Sequence, residues 1–387
     1  RDVYKRQLKL DPDEDAPLRR RAAELAGEWH RVARLDELTA RWPAPIAHEL
    51  DAFHALLASG KIPDAFYQLR DPIEVMFKLP ALILARDLLD HAPEFPLGKS
   101  GLPAAELIRK QLLDGSPSLG HWRDLARDLA KALCQTLPTP PAGLLAPGLI
   151  RLFYQTPDGH CSNQPRQTRL LNLLDQLITW RNREIGHGGF RPDPAEQLDC
   201  LERILLGRPA GYPSCPTLPG GLARALAEAI DTHPWQGLTL QMQPEHGPPR
   251  LLIGADAIRP EYVGPEHPAV DAPLVLSGPT GSIDLAPYAA GRRCDICHQQ
   301  DCFFYNGRAG NNEHAASHRY QFLDYRAAHP LERRWHQARD LVAEHRLLRS
   351  SKSPDRAEPN AELSSAEVGC ARRDLIQLLD EIAFERR

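Results

Sequence analysis

Apolar residues in the first half of the chain recur at helical spacing. Ile46, Leu50, Phe53 and Leu57 fall at i, i+4, i+7 and i+11 after Trp42-Pro43-Ala44-Pro45, and Ser59-Gly60 closes the run, which predicts a helix with one buried face. A second helix is expected from Ala65 through Leu89, with Pro72 and Pro80 as start or kink points and Met76, Leu79, Ile83 and Leu84 inside. Leu102 to Leu113 and Trp122 to Leu137 predict two more. The second of these has Ser118 as N-cap and Leu125, Leu129 and Leu133 on one stripe. Arg169 to Ile185 is the longest clean helical pattern. Leu170, Leu173, Leu174, Leu177 and Ile178 form its apolar face, and Gly186-His187-Gly188-Gly189 stops it. A helix from Pro194 to Leu206 ends at Gly207 and Pro209. The charged segment from Ala16 to Ala40, with Leu and Ala at helical intervals, reads as a surface helix or helical pair.

Beyond Pro209 the period shortens toward two. Short β-like runs at Leu238–Gln243, Arg250–Ile253, Pro273–Leu276, Ser282–Leu285, Cys302–Asn306 and Arg319–Tyr325 predict a small, mostly antiparallel β domain. The tail from Leu331 reads as helical, interrupted by a polar linker at Ser350–Ser365. The expected fold class is α+β: a helical segment at 8–40, an all-α bundle at 41–208, a linker with a short helix at 209–235, a small antiparallel β domain at 236–330 and a helical tail at 331–387. Residues 1–7 resemble a translated adapter tail and are set aside, and one or both natural ends are expected to lie outside the sequence.

Charge and composition narrow the function. Among 387 residues, 47 basic stand against 51 acidic, a net −4, so no global positive field recruits nucleic acid or membrane and any such binding must be local. No apolar run approaches the ~18 residues of a membrane helix, and a cytoplasmic protein without membrane contact is expected. Of eight cysteines, Cys134, Cys161, Cys200 and Cys370 are scattered and read as reduced thiols. The usual signatures of nucleotide hydrolysis, dinucleotide chemistry, zinc proteolysis and serine hydrolysis do not occur.

Candidate chemistry concentrates in Trp180-Arg181-Asn182-Arg183-Glu184-Ile185-Gly186-His187. Arg181 supplies a planar, permanently charged fork for a phosphate, and His187 is the side-chain type that titrates near neutral pH. The pair suits metal-free RNA cleavage. His187 would move a proton at the ribose 2′-hydroxyl or the leaving oxygen, and Arg181 would stabilise charge building on the phosphate oxygens. Asn182 would hold the phosphate or orient His187. Arg183, four residues before His187, is a second phosphate contact or a structural ion-pair former. Between residues 166 and 191, Arg166, Arg169, Arg181, Arg183 and Arg191 face only Asp175 and Glu184, and five minus two leaves +3, which favours an anionic ligand. The competing reading is an ordinary helix stop: a histidine favoured by the macrodipole, and Arg181 or Arg183 paired with Asp175 or Glu184.

Together with the preceding helices and the run Ser118-Leu119-Gly120-His121-Trp122, this stretch resembles the HEPN superfamily, over about residues 45–208. HEPN proteins are helical bundles whose ribonuclease members carry Arg with a polar residue after it, then His after four to six residues. Arg181-Asn182 and His187 match that pattern, and Gly186 directly before His187 departs from it. The likeness is to HEPN-like modules of bacterial multidomain proteins of defence or signalling. It implies a metal-independent endoribonuclease or RNA-directed effector of a bacterial defence or stress system, with Arg181, Asn182 and His187 catalytic and Arg183 on the substrate. It further implies RNA as partner, no cofactor for catalysis, and a homodimer that sets two motifs across one cleft. The second reading is a non-catalytic HEPN-like dimerisation or sensor module regulating a partner domain outside this sequence.

In the β region, Arg292-Arg293-Cys294-Asp295-Ile296-Cys297-His298 and Asp301-Cys302 cluster three cysteines. The two-residue gap lets the Cys294 and Cys297 thiolates reach one Zn²⁺. Cys302 and His298, or else His314 or His318, would complete a structural site. Free thiols remain open, and a redox pair is less favoured because no βαβ pattern surrounds it. Phe303-Phe304-Tyr305 and the aromatics of Tyr320–Tyr325 fit cross-strand packing better than base stacking. Glu74 and Arg86 are either bundle contacts or neighbours of the motif.

Overall fold

The computed structural model describes residues 16–97, 101–113, 118–135, 141–155, 165–182, 192–209, 215–244, 248–257, 261–262, 272–286, 288–293, 299–309, 317–322 and 336–338. The helical pair near the N-terminus is α1 (Ala16–Ala33) and α2 (Leu35–Arg41). More than a surface element, α1 buries Ala22, Leu25, Ala26, Trp29 and Ala33. Trp29 meets Phe53 of α3 (Ala44–Ala58) edge-on at 5.0 Å. The stripe Ile46, Leu50, Phe53 and Leu57 is fully buried, as its spacing predicts.

The second predicted helix is two: α4 (Ile62–Gln68) and the long α5 (Arg70–His91). Pro72 falls in the first turn of α5, where a missing N–H breaks no helical bond, while Pro80 lies inside the helix. The stretch Leu102–Leu113 is not one helix. Strand β1 (Pro96–Leu97) pairs with β2 (Leu102–Pro103), followed by α6 (Ala104–Ile108) and a π-helical turn at Arg109–Leu113. Pro103 explains the late start, since it sits extended (ψ 144°) as the residue before α6. Next come α7 (Leu119–Gln135), a 3₁₀ turn at Pro147–Leu152, and the short pair β3 (Tyr154–Gln155) and β4 (Arg166–Gln167). Helix α8 (Arg169–Trp180) is capped by the Thr168 hydroxyl, which accepts from the Leu171 N–H. Helix α9 (Pro194–Leu206) opens with an Asp193–Glu196 capping box and ends on left-handed Gly207.

Helix α10 (Gly221–Asp231) packs on α1, α8 and α9. Its start is pressed onto the end of α9: a Cβ on Gly207 would lie 2.2 Å from the Leu218 carbonyl oxygen, and one on Gly221 2.5 Å from that of Leu205. In the same joint, Cys200 and Cys215 form a disulfide with Cα atoms 5.9 Å apart. Cys200 therefore departs from the reduced-thiol expectation, because the connector after α9 folds back along the helix and brings a cysteine fifteen positions away beside it. Cys134 is a buried thiol, and Cys161 and Cys370 lie outside the described residues. Ion pairs bind α1 across this joint: Arg21 to Asp199 and Glu202, and Arg208 to Glu28 and Glu202. Although burial opposes it, hydrogen bonds from Arg21 and Arg208 hold the Glu202 carboxyl below its ordinary range.

The β region comprises β5 (Thr239–Met242), β6 (Arg250–Leu251), β7 (Glu261–Tyr262), β8 (Ala272–Gly278), β9 (Gly281–Asp284), β10 (Ala289–Arg293), β11 (Gln299–Ala309), β12 (Ser317–Phe322) and β13 (His336–Ala338). Its antiparallel order is β13-β12-β11-β10-β8-β5-β6, with β7 on β11 and β9 on β8. Residues His336–Ala338, expected in a helical tail, instead form a strand that pairs antiparallel with β12, whose edge offers backbone donors and acceptors. The rest of that tail lies outside the described residues.

Sheet and helices share one core, and the chain is a mixed α+β fold. The Ala44 N–H donates to the Leu252 carbonyl, the Gly254 N–H to that of Trp42, and the Tyr305 hydroxyl to that of Leu112 at 2.9 Å. Asp87, buried in α5, accepts from the Leu145 and Ala146 N–H groups and pairs with His91. Leu145 in turn packs against Gly278 of β8. Among the described residues no helix is long and apolar enough to cross a membrane.

Replacing Cys200 and Cys215 by Ser, or reducing them, reopens a loop of 15 residues and is expected to lower unfolding stability by about 3 kcal/mol. Urea midpoints with and without reductant measure this, with alkylation and intact mass reporting the thiols released. An unchanged midpoint in the fully reduced protein would show that packing alone holds the joint.

Candidate functional site

The site is organised by the way α7 lies on α8. Arg123 of α7 faces Asp175 of α8 at 3.6 Å. One turn further along α7, Arg127 and Asp128 act electrostatically on Tyr154, whose strand partner Gln167 comes just before Thr168, the N-cap of α8. The helices therefore run antiparallel, and the first turn of α7 shares an end of the bundle with the last turn of α8. Trp180 in that last turn meets Phe66 of α4 edge-on at 5.9 Å, which brings the α4–α5 junction to the same end. Lys78 of α5 lies over the ring of Trp122, in the first turn of α7, 5.3 Å from its centre.

Arg181 follows α8 as its C-cap, where the negative end of the macrodipole favours a cation. Its Nη1 donates to Asn182 Oδ1 at 3.0 Å; the guanidinium is half-buried and Asn182 is exposed. Arg183 and His187 lie outside the described residues. At the facing end of α7, Ser118 precedes the helix as expected, yet the hydrogen bond runs the other way: the Ser118 N–H donates to His121 Nδ1 at 3.0 Å. That bond makes Nδ1 the acceptor, so in the neutral ring Nε2 carries the proton. The run Ser118–Trp122 and the pair Arg181-Asn182, sixty positions apart in sequence, thus share one end of the bundle.

The local charge differs from its sequence tally. Arg169 is committed to Glu228 of α10 and to the Pro219 carbonyl, so it serves packing. Asp175 faces Arg123, and burial pushes its carboxyl up against the opposing pull of Arg123 and Arg127. Arg86 pairs with Asp90 at 3.1 Å within α5 and is a bundle contact. Cys302 lies in β11 opposite Gly291, buried in the core, while Cys294, Cys297, His298 and His314 lie outside the described residues. His318 stands in β12 opposite Arg308. Among the described residues no cluster of three metal-ligating side chains occurs.

One chemically distinctive residue escaped the sequence reading. Lys78 is almost wholly buried, its Nζ 3.8 Å from Glu74 one turn earlier. Desolvation lowers its pKa from 10.5 to about 8 despite the pull of Glu74. Its sequence signal is a lysine set within Val75-Met76-Phe77-Lys78-Leu79, four positions after a glutamate. Glu74 thereby joins the group at the α7–α8 end through Lys78 and Trp122. Glu49 and Gln68 form a second buried pair at 2.7 Å, which fastens α3 to the end of α4.

Comparison with family models, with curated proteins and with solved structures finds no match to this chain.

A lysine that binds its proton less tightly folded than unfolded costs stability while both states are protonated, and the cost is relieved as pH rises from about 8 toward 10.5. Measured against Lys78→Met, the wild-type protein should gain up to about 3 kcal/mol of relative stability over that window. Urea unfolding at pH 7.5, 8.5 and 9.5 checks it, and parallel curves for the two proteins would refute a depressed lysine.

Proposed function

We propose that the helical bundle is a metal-independent endoribonuclease of the HEPN type, an RNA-directed effector of bacterial defence or stress that works as a homodimer in the cytoplasm. The supporting observation is that antiparallel packing puts Arg181-Asn182 and the Ser118–Trp122 turn at one end of the bundle, the two stretches that carry the resemblance. In this reading Arg181 clamps the scissile phosphate, with Asn182 steadying the guanidinium through the bond at 3.0 Å. His187 takes the proton of the 2′-hydroxyl, whose oxygen attacks phosphorus and expels the 5′-oxygen, which is protonated as it leaves. A 2′,3′-cyclic phosphate and a 5′-hydroxyl result. Arg183 contacts a neighbouring phosphate. No cofactor enters this chemistry.

The capture of Arg169 by Glu228 favours the alternative, a non-catalytic dimerisation or sensor module regulating a partner domain, because it removes one cation from the surface available to an anion.

In the β region, Arg293 of β10 pairs with Gln300 of β11, and Cys294, Cys297 and His298 lie outside the described residues. The sequence spacing of Cys294, Cys297 and His298 suits a structural zinc. Cys302, the fourth ligand of that set, sits two rungs inside the ladder, and its burial equally suits a core role. Purified protein should carry about one zinc per chain. Less than about half an equivalent, with freely titrating thiols, would reject the site.

Incubation with RNA in the presence of a chelator should yield 2′,3′-cyclic phosphate ends. His187→Ala and Arg181→Ala should each lower cleavage by about 100-fold or more while leaving the circular dichroism spectrum unchanged. A stable dimer that leaves RNA intact supports the sensor module instead.

A further inference from the structure

Helix α1 meets α9 and α3 through contacts of different chemistry. Toward α9 it is tied by ion pairs, Arg21 to Asp199 and Glu202, and Glu28 to Arg208, which also holds Glu202. Toward α3 the contact is made by rings. Trp29 lies 5.0 Å from Phe53 and 5.9 Å from His54, and His30 faces His54 with ring centres 5.0 Å apart and planes 38° from parallel. Two half-buried imidazoles, one from each helix, therefore stand together beside a buried tryptophan.

The charges at this corner come from each of the elements that meet there. His30 Nε2 lies 3.0 Å from Asp36 of α2, whose side chain is 90% exposed, so water weakens the attraction. Asp51, one turn before His54 in α3, is exposed as well. Burial and the neighbouring His30 disfavour a proton on His54 more than Asp51, the Ala26 carbonyl and Asp36 favour one, and its pKa lies below the ordinary 6.5. Such a ring binds its proton more readily when the seam is open. Its contribution to the closed seam is therefore fully present above pH 6.5 and is lost as pH falls below that value. The α9 side behaves differently. Despite burial, hydrogen bonds from Arg21 and Arg208 hold the Glu202 carboxyl below its ordinary range, so that ion pair keeps its charge over the same interval.

We propose that His30 and His54 form an acid-sensitive latch on α1: neutral, the two rings lie together and close the α1–α3 seam; both protonated, they repel and the seam loosens, while the ion pairs to α9 keep α1 on the bundle. Histidine suits the task because its charge changes between pH 5 and 8. Two unit charges about 5 Å apart in water repel enough to shift an opening equilibrium about 4-fold, and more where water is partly excluded. The latch does not depend on the ribonuclease reading. Its consequence is that mild acid uncovers the Trp29 face of α1 ahead of general unfolding.

Amide hydrogen exchange of the full-length chain at pH 7.5, 6.5 and 5.5, corrected for the intrinsic rate, tests this by comparing α1 with α9. In the wild type, protection of α1 should fall about 4-fold or more relative to α9 as pH drops from 7.5 to 5.5. His30→Gln and His54→Gln each remove one of the two charges, and each should hold the ratio constant. The wild-type ratio requires no variant, so the latch stays testable if either substitution impairs folding. The latch is refuted if α1 and α9 lose protection in parallel, if neither responds to pH, or if the ratio falls as far in either glutamine variant as in the wild type.

Discussion

Arg123 meets Asp175 across the seam between α7 and α8, and the direction in which those helices pass each other decides what can be neighbours at the end of the bundle. Both bury wide apolar faces, Leu125, Leu129 and Leu133 on one and Leu170, Leu173, Leu174 and Leu177 on the other, and burial alone does not choose between parallel and antiparallel packing. The contacts record the outcome: Arg123 meets Asp175, and Arg127, one turn on, acts on Tyr154, whose strand partner Gln167 lies at the start of α8, so α8 retraces α7. Were the orientation reversed, the Arg181 turn would sit at the far end from Ser118, His121 and Trp122.

Polar groups inside the core reinforce that arrangement at a small number of points. Asp87 gathers the Leu145 and Ala146 amides and fixes the segment that presses on β8. Burial raises its pKa, and the amides and His91 oppose the rise only in part, so the hydrogen bonds offset some of its desolvation rather than all of it. Glu49 with Gln68 and Lys78 with Glu74 act at the opposite end of α5, near the candidate site. Groups of this kind tolerate little displacement, because each unpaired buried polar atom carries a desolvation penalty that water no longer offsets.

Much of the secondary structure was legible because a single periodicity governs each element. The stripe of α3, the limits of α9 with its capping box and terminal glycine, and the strand runs around residues 239–242 and 272–278 follow from local pattern and cap chemistry. Legibility failed where a distant surface overrode the local signal. The charged α1 looks like a surface helix until Trp29 finds Phe53. Leu102-Pro103 reads as helix until Pro96-Leu97 offers a strand partner, and residues 336–338 become a strand because the edge of β12 is available. Of the candidate site, Arg181 and Asn182 were singled out from their residue types and spacing. Lys78 was overlooked because its peculiarity is its burial, which no spacing rule reports.

By itself the sequence determined the helices and strands in which one periodicity runs uninterrupted, most of their apolar faces, and where an arginine, an asparagine and a histidine stand close along one segment. These depend on interactions within a few residues, whose geometry the backbone dictates. Only the tertiary structure decided that Cys200 joins Cys215, that Asp175 belongs to Arg123 and Arg169 to Glu228, and that the Ser118 turn, Trp180 and Lys78 meet at one end of the bundle. Those outcomes depend on the direction of chain return and on competition among many partners for each charge, and both are settled only when the whole core closes.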